Sequence, residues 1–192
     1  MRASALAGLA TLGLSCAGAA QASPAFDAFQ TLCVAHRGDA AGTLVAAAAA
    51  GWKPVPKALL DQIPLSSDPN EKITDLDGRL LNGPAGVMIL LVAKTDHIAK
   101  GHAIPAEVCA FGLVNGDTAG LKTEAASFAG VPVTVDPDMK NAAVFVWRGE
   151  GARRAPASLA TLRPEQSNRD LSLLAVVGQG PVTMVALTVP TK

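Results

Sequence analysis

The chain has 192 residues and carries 16 Lys and Arg against 16 Asp and Glu, so it offers neither a basic field for nucleic acid nor an acidic tail. Aromatics make up only 4% and tyrosine is absent, which leaves no evident stacking platform for bases or sugars. The length suits one domain with a sizeable core and is short for two.

The first 22 residues read as a signal peptide. Arg2 supplies a positive n-region, residues 5–14 an apolar h-region, and Ala20-Gln21-Ala22 a small-x-small cleavage site. Cleavage after Ala22 leaves a single exported domain over residues 23–192, periplasmic or secreted, within a bacterial envelope. A rival reading makes Cys16 a lipid-modified terminus and the protein a lipid-anchored one, although Gly13 stands where a lipoprotein box has Leu. No other segment is apolar for long enough to span a bilayer.

Removing the leader leaves Cys33 and Cys109. An even pair in an exported chain predicts a disulfide, and two thiols so far apart do not resemble a redox Cys-x-x-Cys. In the chain-entropy model, closing such a loop restricts the unfolded chain by roughly 4–5 kcal/mol.

Ser23 and Pro24 form a helix start, cap then N1 proline, with Phe26, Phe29 and Cys33 on one face and Gly38 as the stop. A second helix runs from the N-cap Asp39 through the alanine tract to Gly51, where Trp52 folds back as the apolar partner of a Schellman end. The irregular surroundings of Trp52 (GWKPVP) predict that its ring stays partly exposed. A short helical turn over residues 58–62 and a turn-rich loop over 64–70 follow.

Residues 75–83 (DLDGRLLNG) read as a tight hairpin or short edge strand, with Asp77-Gly78 as the turn. Two central antiparallel strands come next, GVMILLVAKTD and AEVCAFGLVN, separated by a polar loop; both faces of the first are apolar, so it belongs inside a covered sheet. A third helix spans 118–129. Strands are then predicted at 142–147, marginally at 158–162, and at 171–177 and 182–189, the last two flanking Gly178-Gln179-Gly180-Pro181 as a hairpin. The fold expected is α+β: an antiparallel sheet of about five to six strands with two N-terminal helices and one inserted helix packed on it. No internal repeat is visible.

Chemistry is hard to place on this pattern. Asp96, His97 and His102 share one loop, but zinc favours tighter spacing and a defined third ligand, so neither metal nor cofactor is expected. No Gly-x-Ser-x-Gly elbow occurs, and Ser66 or Ser67 beside His97 is a triad only on paper. The Asp75/Asp77 and Asp136/Asp138 pairs flank Gly or Pro and read as turn chemistry. Gly149-Glu150-Gly151 with Arg153 and Arg154 has the residues of an anion contact without a helix start. The expectation is therefore a non-enzymatic binding or interaction module for an unknown protein or small-molecule partner, with Trp52, Arg148, Arg153 and Arg154 as its contact surface and no catalytic residue. A small secreted hydrolase using His97 or His102 is the alternative.

Overall fold

A computed structural model describes residues 22–61, 71–83, 86–99, 102–134, 142–159 and 167–191, with backbone alone at 97–99, 102 and 179. The leader with Cys16, the 64–70 loop with Ser66 and Ser67, Asp136 and Asp138 lie outside the described residues, as does most of the marginal strand at 158–162.

Helix α1 (Pro24–Phe29) starts as its sequence dictates: the Ser23 hydroxyl accepts from the Phe26 N–H at 3.3 Å, and Pro24 occupies the first turn. It continues as a π-helical segment, Gln30–Val34, whose wider hydrogen-bonding step brings both Leu32 and Cys33 into the core. The buried Thr43 hydroxyl donates to the Leu32 carbonyl at 3.1 Å, tying this segment to α2 (Ala40–Ala49). Helix α2 closes as expected. Trp52 N–H bonds to the Ala47 carbonyl and Gly51 N–H to that of Ala48, a Schellman end with Gly51 at φ 85°.

The remaining elements are β1 (Lys53–Pro54), α3 (Lys57–Leu60), β2 (Glu71–Gly83), β3 (Gly86–Ala99), β4 (His102–Val114), α4 (Thr118–Ala129), β5 (Ala142–Arg148), β6 (Ala155–Pro156), β7 (Leu171–Gln179) and β8 (Val182–Pro190). They form one antiparallel sheet of eight strands in the order β1-β2-β3-β4-β8-β7-β5-β6, not five to six. The strands missing from the sequence reading are the two-residue pieces β1 and β6, too short to show any alternation. Each contains a proline and sits at an outer edge, where proline suits a strand that needs no further partner.

Two further expectations need correction. Asp77-Gly78 is not a hairpin turn. It lies inside β2, just past an irregularity at Thr74/Asp77, with Asp75 at φ 52°. Gly78 is there because α3 packs close: a Cβ would meet a Leu91 methyl at 2.9 Å and a Leu60 methyl at 3.1 Å. The polar loop around Asp96, His97 and His102 is in fact strand, since β3 and β4 stay paired out to Ala99 and His102. Cross-strand pairing has overridden the polar composition.

Alternation sorts the sheet into two faces. On one, Leu90, Val92, Cys109, Phe111, Val185, Leu187, Leu174, Val176 and Phe145 pack against Phe26, Phe29, Ala47, Leu121, Ala125 and Ala129 of the helices. The other carries two smaller buried clusters, one holding Leu91 and Ala110 with Val55 and Leu60, the other Ile104, Val144, Val146 and Leu171. The sheet is apolar on both sides, as the pattern of β3 suggests.

The topology divides the fold into two similar halves. β2-β3-β4 is a meander following α2, and β5-β7-β8 is a meander following α4; the two halves meet through their last strands, β4 against β8. Both helices open on the same five residues in pattern, Gly38-Asp39-Ala40-Ala41-Gly42 and Gly116-Asp117-Thr118-Ala119-Gly120. In each the Asp carboxylate accepts from the N–H groups two and three residues on.

Cys33 and Cys109 are joined in a disulfide with Cα atoms 5.4 Å apart, pinning the π segment to the middle of β4. Among the described residues no helix is long and apolar enough to cross a membrane.

Candidate functional site

Of the three arginines at and after the end of β5, one, Arg154, lines a cleft beside the aromatic end of the core. Alternation along β5 turns Trp147 to the helix-covered side, where its ring meets Phe128, from the last turn of α4, edge-on at 6.3 Å. The chain then reverses at Gly149 (φ 82°), whose N–H bonds to the Asp170 carbonyl at 3.0 Å, and makes one 3-10 turn, Gly151–Arg153. That reversal lays Arg154 back across the rings. Its guanidinium carbon stands 4.4 Å from the Phe128 centroid and 5.0 Å from that of Trp147, a double cation–π contact.

Polar partners of Arg154 are few. Nη1 donates to the Phe128 carbonyl, and Nε is buried without an acceptor. Burial draws its pKa below the usual arginine value, although a guanidinium remains charged at any physiological pH. Among the described residues no carboxylate pairs with it; Glu150, the acid nearest in sequence, pairs instead with Arg37. The cleft measures about 220 Å³ and is lined by Arg37, Arg154, Glu150, Ser172, Phe128 and Trp147, with Leu187 and Val189 behind. It therefore has an aromatic floor and a surplus of positive charge.

The other residues singled out from sequence have different places. Trp52 is 5% exposed, its ring edge-on to Phe111 at 5.9 Å, so the exposed aromatic expected there is a core residue. Schellman closure carries it inward, which the irregular sequence around it concealed. Arg148 clamps β5 to the turn before β7, donating to Asp170 Oδ1 at 2.5 Å and Asn168 Oδ1 at 3.1 Å. Arg153 is exposed in the 3-10 turn. His97 and His102 lie near the tip of the β3–β4 hairpin, their side chains outside the described residues, and among the described residues no three His, Cys, Asp or Glu gather as a metal site.

Sequence reading grouped Glu150 with Arg154 but missed Arg37, Phe128 and Ser172 as its neighbours. Arg37 carried one signal: it precedes Gly38 at a helix stop, and it stands at φ 52°. The others meet only through pairing of β5 with β7 and packing of α4, both non-local.

Comparison of the chain with protein-family models, with characterised proteins and with solved structures returned no match.

Proposed function

We propose that this protein is an exported, non-enzymatic interaction module that seats an anionic group of its partner in the Arg154 cleft. The carrying observation is Arg154 itself: a half-buried cation held on two aromatic faces, one N–H buried without an acceptor, and, among the described residues, no carboxylate paired with it, since Glu150 in the same cleft pairs with Arg37. The buried Nε–H is costly without an acceptor, and an incoming carboxylate supplies one. At about 220 Å³ the cleft is smaller than the roughly 300–1,000 Å³ usual for whole small-molecule ligands, so it suits one acidic group with an apolar stem. An aromatic or aliphatic carboxylate at the end of a partner chain has that shape.

Export is supported by the leader-like first 22 residues, by the Cys33–Cys109 disulfide, and by the seating of Ser23 on Glu124. The test uses N-acetyl-phenylalanine and N-acetyl-phenylalaninamide, which differ only in the carboxylate. In an NMR titration the acid shifts the Gly149, Glu150 and Ser172 amides saturably, the amide does so at least about tenfold more weakly, and Arg154→Gln abolishes the difference. Equal binding of both probes, or an unchanged Arg154→Gln variant, overturns the reading.

A further inference from the structure

Strands β7 and β8 serve two sides at once. Ser172, Leu187 and Val189 face the Arg154 cleft, while the alternate residues Leu171, Leu173, Thr188 and Pro190 line a second cavity on the opposite face of the sheet. This cavity measures about 170 Å³. Ile104 and Ala106 of β4 complete its wall, and Leu159, 41% exposed, stands at its rim.

Among the described residues its polar lining is Thr188, Thr95 and Glu71. Thr95 is 4% exposed, and its hydroxyl donates to Glu71 Oε1 at 3.1 Å. The bond holds a carboxylate at one end of an otherwise apolar space. Glu71 is the single charged group in the described lining.

We propose that this cavity is a binding site for a small apolar amine, its hydrocarbon body against Ile104, Leu171 and Leu173 and its ammonium on Glu71. Size and charge both select that occupant. An apolar cavity of about 150 Å³ takes a benzene-sized molecule, so this one holds a single ring or a short branched chain. A carboxylate beside apolar walls favours a cation and disfavours an anion, like charge being repelled there. The ligand class is thus opposite in charge to that of the Arg154 cleft, and the two sites stand back to back across one sheet.

Three probes of one shape test this: benzylamine, toluene and benzoate, titrated into the purified full chain by calorimetry or NMR. Benzylamine is expected to saturate, with toluene about tenfold weaker and benzoate weaker still. Glu71→Gln removes the advantage of benzylamine over toluene, and Ala106→Leu, which fills the space, weakens both. Arg154→Gln leaves benzylamine binding unchanged, so failure of this site is separable from failure of the other. If Ala106→Leu does not fold, Glu71→Gln decides alone. Toluene or benzoate binding as tightly as benzylamine, indifference to Glu71→Gln, or no saturable binding of any probe overturns the proposal.

Discussion

Both oxygens of Glu124 are engaged by Ser23, 101 residues earlier: one accepts from its backbone N–H and the other from its hydroxyl, the latter at 2.8 Å. α4 thereby holds the start of α1 in place. If the leader is removed after Ala22, the Ser23 nitrogen becomes an ammonium and the contact a charge-assisted pair. A chain beginning at Ser23 should then lose about 1–2 kcal/mol on Glu124→Gln in urea unfolding, and a chain with extra residues before Ser23 should lose less. Equal losses would remove the ammonium from the account.

The disulfide should matter more than any single side chain. Cys33 and Cys109 are separated by 76 residues, and the chain-entropy model gives about 4–5 kcal/mol for closing such a loop. Both sulfurs are buried, so a mild reductant should act slowly on the native protein and quickly once urea opens it. Cys33→Ala, Cys109→Ala and the double variant should fall to similar midpoints, because the bond is lost in all three.

Gly149 carries a backbone demand that no other residue meets easily. Its φ is 82°, and a Cβ there would stand 2.6 Å from the Arg153 carbonyl oxygen. Gly149→Ala should cost about 1–3 kcal/mol and displace Arg154 from its rings. The check is twofold: a lower urea midpoint, and loss of the acid-over-amide preference in the N-acetyl-phenylalanine titration.

Glu107 predicts a pH effect with a definite sign. Burial raises its pKa, Asp39 adds to the shift, and Lys94 opposes it. The folded state therefore binds this proton more tightly than the unfolded one. The stabilisation is fully present below the ordinary glutamate value and is lost as pH rises through the raised one. At neutral pH the ionised group is a small liability. Glu107→Gln should raise the urea midpoint slightly at pH 7, by up to about 0.5 kcal/mol, and the advantage should vanish near pH 3. An advantage that grows on acidification would reverse the assignment.

Much of the local architecture was readable from sequence because local rules govern it. Ser23-Pro24, Asp39 and Asp117 announced helix starts, Gly51 and Gly130 helix ends, and β3 its place inside the sheet. The pairing of Cys33 with Cys109 was legible for a different reason, since they are the two cysteines left beyond the leader-like first 22 residues. What failed was non-local. β1 and β6 exist only as edge partners, and Asp77-Gly78 looked like a turn because nothing nearby shows that Leu60 needs the space above Gly78. Trp52 was misjudged for the same reason: its burial depends on Phe111. At the candidate site, Arg154 was visible as a cation after a glycine turn, but its rings and the second arginine of the cleft come from α4, β5 and the turn before α2. The repeated Gly-Asp-x-Ala-Gly was in plain view, yet five residues mean little until two meanders are seen to follow them.

That two-part plan bears on the order in which the molecule assembles. Both cysteines belong to the earlier half, so oxidation can lock it before the later half has been threaded into place. Until β8 arrives, however, β4 presents a long row of unmatched amide and carbonyl groups, an open invitation to any other extended chain nearby. A nascent molecule halted short of Val182 would be stapled yet adhesive, and a partner that shields that border would spare it from clumping.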